Sequence, residues 1–414
     1  MAGLLSTPRP AGADDGAAGP VLFRRGASIQ SRLGWALLRD GQPGRYAAEP
    51  FAGAGLDVPL GLVRDAKAAG FDFIRLAVDP GPFQQFTGAA RDGLDATLLR
   101  VVRQIRGCGL AVIVDFAPND LVAANDKRAD VAALDGAAFR SYLETIRRTA
   151  HLLGAERDPR LALEFMNEPD TAYDPAGAAR WQAMVEAMHA AARGQAPGLT
   201  LVASGGRSSA RDALVLLDPA PLHDPNVLYT FHYYEPLDFT HQGVSGAPGD
   251  DAYRRYLGGL PYPSRTAGDV RSLVLANVQA DRSLAPGARR DVTVEALQKA
   301  AAFVRGGYDR ARIARDFDGV AAWASSHGIA ADRVILGEFG VARFFADHAG
   351  ADAASALNWQ RDVRSEAEAH GFGWAVWALV GGTFMGITTG EDTTVLDPAT
   401  LAALGLRAPG RPAR

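Results

Sequence analysis

A single cysteine, Cys108, stands among 414 residues, so no intrachain disulfide can form and a cysteine-based zinc site is excluded. Placed after a helix-like run, it reads as a small buried hydrophobe. Lysine is almost as scarce: Lys67 and Lys299 fall in helix-like stretches and Lys127 in a polar loop. None ends a strand-like run, which argues against Schiff-base and lysine-base chemistry. No apolar run reaches the roughly 18 residues of a membrane helix, and no membrane partner is expected. There is no basic block: 43 Lys and Arg stand against 47 Asp and Glu, a net charge of −4. The electrostatic footprint of a nucleic-acid partner is therefore lacking. Also missing are GxGxxG and GxxxxGK[ST], the Gly-rich turns that cradle phosphates. What remains is ordinary globular composition, 48% hydrophobic and 22% charged.

Short apolar runs alternate with amphipathic ones. The strand candidates are 21–29, 71–78, 110–117, 160–167, 199–206, 226–234, 333–340 and 372–379, dominated by Val, Ile, Leu and Phe, as in strands buried on both faces. Helix-like runs cover 60–70, 94–107, 139–154, 178–194, 312–328 and 356–371, and Gly70 and Gly107 read as C-caps. Eight strands alternating with helices predict an α/β fold, a (β/α)8 TIM barrel. The expected organisation is a flexible lead-in over 1–20, one catalytic barrel over 21–406, and a tail over 407–414. Residues 238–305 exceed the minimal unit. They predict a substrate-facing insertion after strand six, with some helix near 294–306. The lead-in lacks the charged and apolar regions of a signal peptide.

Active sites of this fold gather at the C-terminal strand ends. Those ends carry Arg75, Asp79, Asp115, Asn167, Glu168, Arg207, His232, Tyr234, Glu338 and Trp377. Glu168 and Glu338 end strands four and seven. Two opposed carboxylates are what glycosidic cleavage needs, one as acid and one as nucleophile or base. Those roles call for different environments, which Arg75, His232 and Tyr234 can supply. Glu164 shares the parity of Glu168 deeper in the barrel and is expected to pair with a basic group. Asp79 and Asp115 are candidates for sugar hydroxyls. Trp377 and Trp35 are candidate stacking platforms, whereas Trp181, Trp323 and Trp359 sit on helix-like runs and suit packing. His241 and Gln242 suit either substrate contact or loop capping. Only His232 of the eight histidines ends a strand, so no metal and no cofactor are expected.

Asn167-Glu168-Pro169 after LALEFM and Gly337-Glu338-Phe339-Gly340 after RVIL together resemble glycoside hydrolase family 5. Arg75 in FIRLAV, the His232-Tyr233-Tyr234 segment and the Trp377 segment extend the resemblance over about 21–406. It implies a retaining (β/α)8 β-glycanase with Glu168 as acid/base and Glu338 as nucleophile. It further implies Asn167 at the sugar 2-hydroxyl, Arg75 and Tyr234 on the nucleophile, His232 near the acid/base, and Trp377 under the reacting sugar. The pattern departs at Ala117-Pro118, where the family often has histidine, and at Trp377-Ala378, where it often has Trp-Glu. The expectation is an endo-β-1,4-glucanase acting on a polysaccharide or oligosaccharide, a monomer, secreted or periplasmic with its signal removed. The rivals are a β-mannanase, a β-1,3-type glucanase, an exopolysaccharide glycanase or transglycosylase, and a non-catalytic glycan-binding barrel.

Overall fold

The computed structural model describes residues 23–53, 59–118, 127–244, 252–380, 384–390 and 393–410. The expected lead-in, the last four residues of the expected tail and 245–251 of the expected insertion lie outside them. Eight parallel strands close a barrel: β1 (Arg25–Leu33), β2 (Phe73–Val78), β3 (Ala111–Phe116), β4 (Leu161–Glu164), β5 (Thr200–Ser204), β6 (Val227–His232), β7 (Val334–Glu338) and β8 (Gly373–Val376). Each strand pairs with its successor, and β8 returns to β1. Helices α1 (Leu60–Ala69), α2 (Gly88–Gly107), α3 (Ala137–Ala155) and α4 (Pro175–Arg193) follow the first four strands. This is the expected TIM barrel.

The strands form because their β-branched and aromatic residues bury both faces. Outward residues pack on the helices, and inward residues stack in layers. The lower layer is Phe73, Ala111, Ile113, Ala162, Val202, Ile335 and Ala375, plugged from below by Phe23. The rings of Phe23 and Phe73 meet edge to face, 5.6 Å between centroids. Gly26 makes room for the Phe73 ring: a β-carbon there would lie 2.3 Å from it.

Helix ends follow local chemistry. Gly70 takes a left-handed φ of 112° and caps α1 as expected. Gly107 does not cap α2; the helix runs through it and the left-handed residue is Gly109, with φ 86°. Asp174 starts α4 by accepting from Gly177 N. Cys108 is only partly buried, packed against the core rather than inside it.

The segment between β6 and β7 differs from the expected loop. Its described part is largely helical, with α5 (Val270–Ala280) and α6 (Pro286–Gly306) ahead of α7 (Arg310–Ser326). It packs on the outer shell. Phe303 stacks on Phe239 at 6.1 Å, and Tyr262 donates to Asp362 of α8 (Ala353–Ala369) at 2.9 Å. Gly, Pro and Arg crowd the joints and hide the two amphipathic runs between them. No helix among the described residues is long and apolar enough to cross a membrane.

Candidate active site

One step above the apolar layer, the same inward rows turn polar. Arg75 follows Phe73, Asp115 follows Ile113, and Glu164 follows Ala162. Arg75 is 1% exposed and is the hub. Its Nε and Nη2 donate to the two oxygens of Glu164, each at 2.8 Å, a bidentate fork. Nη2 also reaches Asn167 Oδ1 at 2.8 Å and lies 3.1 Å from Asp115 Oδ2. Nη1 donates to Glu338 Oε1 at 2.6 Å. Burial alone lowers the guanidinium pKa, but the charges of Asp115 and Glu164 outweigh it and push it well above the ordinary value. Glu164 is thereby the structural partner expected from its parity.

Glu338 is aimed by an irregularity. By simple alternation from Ile335 it would point outward, but the β6–β7 register slips at His232, which pairs with Glu338 and skips Gly337. Such slips re-aim side chains beside active sites. Gly337 is required there, since a β-carbon would stand 2.2 Å from Thr230 Oγ1. The Tyr234 hydroxyl then donates to Glu338 Oε2 at 2.8 Å, so each carboxylate oxygen has one donor. Burial raises the Tyr234 hydroxyl pKa well above its ordinary value, as do the charges of Glu338 and Glu168, and the phenol stays a donor.

Glu168 approaches from the opposite wall. Asn167 N donates to Phe116 O at 2.8 Å and prolongs β4 past its last ladder pair. Glu168 itself takes φ 44°, which turns its side chain into the site. His232 Nδ1 lies 2.9 Å from Glu168 Oε1 and 3.5 Å from Glu338 Oε2. Burial raises the Glu168 pKa, but the hydrogen bond and charge of His232, joined by the charges of Lys127 and Arg75, more than offset it, and the net shift is downward. The environments of the two glutamates do differ, but through that histidine rather than through an apolar pocket around the acid.

Glu168, His232 and Glu338 each offer a ligand atom within 4.8 Å of the others. One imidazole and two carboxylates could hold a cation. Arg75 and Tyr234 already engage both oxygens of Glu338, and a fixed guanidinium opposes a second positive charge beside it. The arrangement suits one carboxylate held by Arg75 and Tyr234 facing a second carboxyl positioned by His232 for proton transfer.

Arg75, Asn167, Glu168, His232, Tyr234 and Glu338 are therefore brought together. Trp377 is half-buried, its main-chain N–H donates to Phe339 O at 2.9 Å, and its peptide bond to Ala378 is cis. Trp35 is 42% exposed after β1, as a platform requires. Two candidates are corrected. Asp79 is fully buried and accepts from the Tyr46 hydroxyl and from Gly81 N, so it ties a loop down. Asp115 is also fully buried, 3.1 Å from the Arg75 guanidinium, and offers no oxygen to a sugar. Burial pushes its carboxyl well above the usual range; the Arg75 charge lowers it, and the charges of Glu164 and Glu338 raise it again. Gln242 is buried and brackets Leu260, a loop cap, while the His241 ring meets Tyr234 edge to face at 5.1 Å. Trp181, Trp323 and Trp359 each donate to a main-chain carbonyl in the shell. Ser209, whose hydroxyl accepts from Glu168 N at 3.2 Å, has no signature in the sequence because it acts through the backbone.

The sequence profile of the cellulase family, glycosyl hydrolase family 5, matches residues 61–382. Cellodextrinase A of Ruminococcus flavefaciens is 27% identical over 180 residues, 43% of this chain. The aligned part spans about half of that relative, 52% of its length. Among solved structures, the cellulose synthase subunit Z from Clostridioides difficile superposes with a TM-score of 0.63 at 21% identity, covering 92% of this chain and 99% of the other. Thermotoga maritima Cel5A, solved with mannotriose, gives 0.63 at 17%, covering 93% and 98%.

Proposed function

The chain belongs to glycosyl hydrolase family 5, and on that premise we propose that it cleaves β-1,4-linked glucan within the polymer, with retention of configuration. One observation carries the retaining reading: Glu168 and Glu338 offer oxygens within 4.8 Å of each other. Retaining pairs stand about 5–5.5 Å apart, whereas inverting pairs leave roughly 6.5–9.5 Å for a water.

In the first step Glu338 attacks the anomeric carbon, its oxygens held by Arg75 and Tyr234. The bond to the leaving oxygen breaks as Glu168 donates its proton there. Glu338 is then neutral, and the loss of its charge favours the ionised form of Glu168. In the second step Glu168 takes a proton from water, which attacks the same carbon and frees Glu338. Asn167, fixed by Arg75, serves the 2-hydroxyl. Trp377 and Trp35 supply apolar faces for sugar rings.

The catalytic unit is one barrel domain with its helical annex. It is proposed to work as a monomer outside the cytoplasm, in keeping with a polymeric substrate. A second reading, a glycanase for the producing cell's own exopolysaccharide, is favoured by Ala117-Pro118 in place of strand-three histidines. The solved subunit from a bacterial cellulose synthase has the same fold.

The test is product analysis on carboxymethyl cellulose, mixed-linkage β-glucan, glucomannan, galactomannan and laminarin, with Glu338→Ala as the blank. A fast viscosity drop with an oligosaccharide ladder on a β-1,4-glucan is expected. Cleavage of galactomannan or laminarin instead would reassign the substrate. A folded protein inert on all five would move the reading to exopolysaccharides or to glycan binding.

A further inference from the structure

The loops after β4 and β5 run side by side, joined rung by rung. Glu168 N donates to Ser209 Oγ at 3.2 Å, Ser208 N to Pro169 O at 3.0 Å, and Arg207 N to Thr171 Oγ1 at 3.0 Å. The Arg207 guanidinium then lies 4.5 Å from the centroid of the Tyr173 ring. Glu168, Arg207, Ser208 and Ser209 have φ of 44°, 55°, 57° and 53°. Non-glycine residues rarely adopt this region, and it persists only where the surroundings impose it. The contact is tight: a β-carbon at Gly206 would stand 2.3 Å from Thr171 Oγ1. Ala210, the next residue, forms a parallel bridge to His232, whose ring holds the Glu168 carboxylate at 2.9 Å. The turn over 205–210 thus touches the backbone of both members of the Glu168–His232 pair.

We propose that this turn builds the leaving-group side of the site. Ser209 fixes the backbone from which Glu168 reaches the leaving oxygen, and Arg207 backs Tyr173 as the stacking platform for the departing sugar. The inference rests on Glu168 being the acid/base. A group that protonates the glycosidic oxygen sits beside it, so the sugar beyond that oxygen lies along the loop that carries Glu168. Tyr173 is five residues further along that loop and 71% exposed. A guanidinium against its ring restrains it without hiding it. The apolar face of a pyranose suits such a ring. Ser209 touches no substrate and is a positioning residue.

The test compares kcat/KM on 2,4-dinitrophenyl β-cellobioside, whose leaving group needs no proton, with kcat/KM on cellopentaose, whose leaving sugar does. Ser209→Gly removes the hydroxyl and places glycine where φ is 53°, so folding is preserved. General acid catalysis supplies roughly 10²–10⁴-fold, and a misplaced acid forfeits part of it. Ser209→Gly is expected to lose about 10–100-fold on cellopentaose and under about threefold on the aryl glycoside, with an unchanged melting temperature. Tyr173→Ala is expected to raise KM for cellopentaose about tenfold and to affect the aryl glycoside less, since its single leaving ring makes a smaller contact with the platform. Glu168→Ala is the control and should show the largest split between the substrates. If it shows that split while Ser209→Gly loses both substrates equally or neither, the positioning role is overturned and Glu168 keeps its own. If Tyr173→Ala leaves cellopentaose unchanged, the platform is overturned. If Glu168→Ala shows no split, the assignment of the acid itself fails.

Discussion

The lower and upper halves of the barrel interior are built on the same inward rows and have opposite chemistry. Below, Phe73, Ile113, Val202 and Ile335 close around the Phe23 plug as a dry layer. Two residues along each of three strands, Arg75, Asp115 and Glu164 replace them, with Glu338 turned in above. A step of two residues advances a strand by about 6.6 Å, and within that distance the environment changes from an apolar core to one guanidinium among three carboxylates. The lower layer supplies stability and fixes the barrel radius. The upper layer uses that radius to hold groups that would repel each other if free to move.

The largest effect that sharpens this contrast belongs to the upper half. Glu338→Ala is expected to lower kcat by more than about 10⁴-fold while the melting temperature stays within a few degrees, since losing a covalent nucleophile costs on that scale. Activity and calorimetry on one preparation check it. In the lower half Phe73→Ala should do the reverse, costing about 3–5 kcal/mol of stability through the cavity it leaves. Its kcat per folded molecule should be near wild type, which urea unfolding and active-site titration would show. If Phe73→Ala abolished turnover of folded protein, the two halves would not be separable.

Smaller effects come from titration. His232 holds the Glu168 carboxyl below its ordinary value against the upward push of burial. His232→Gln removes the imidazole and its hydrogen bond to Glu168, so the Glu168 pKa rises. The alkaline limb of kcat/KM against pH should then move to higher pH. An unmoved limb would mean that another group sets it. Asp115 is raised by burial. A carboxyl whose folded pKa exceeds its unfolded one favours folding least once pH has risen past the unfolded value. Asp115→Asn, a neutral isostere, should therefore gain stability over the wild type as pH rises above about 4, with kcat changed only a few-fold. Denaturation curves at several pH values check the sign.

Much of this was legible beforehand, because strand-end positions of a barrel converge whatever the loops do. Arg75, Asn167, Glu168, His232, Tyr234 and Glu338 were readable from eight apolar runs and what ended them. Depth was not readable. Parity puts Asp115 inside, but only its full burial against Arg75 closes it off from a sugar. Alternation alone would have turned Glu338 outward; the slip at Gly337 brings it in, and a single glycine is a faint mark of that. Ser209 was invisible because its contribution is one hydroxyl and an unusual backbone angle. The annex between β6 and β7 was obscured by Gly, Pro and Arg at its joints, which mask the run that becomes α5.

The mechanism turns on Glu338 and Glu168 acting as a close retaining pair. Proton NMR of the first product released from a cello-oligosaccharide, recorded before mutarotation, tests it most directly. The β-anomer should appear first and the α-anomer grow in afterwards. An α-anomer formed first would contradict the covalent role of Glu338 and make the pair an inverting one.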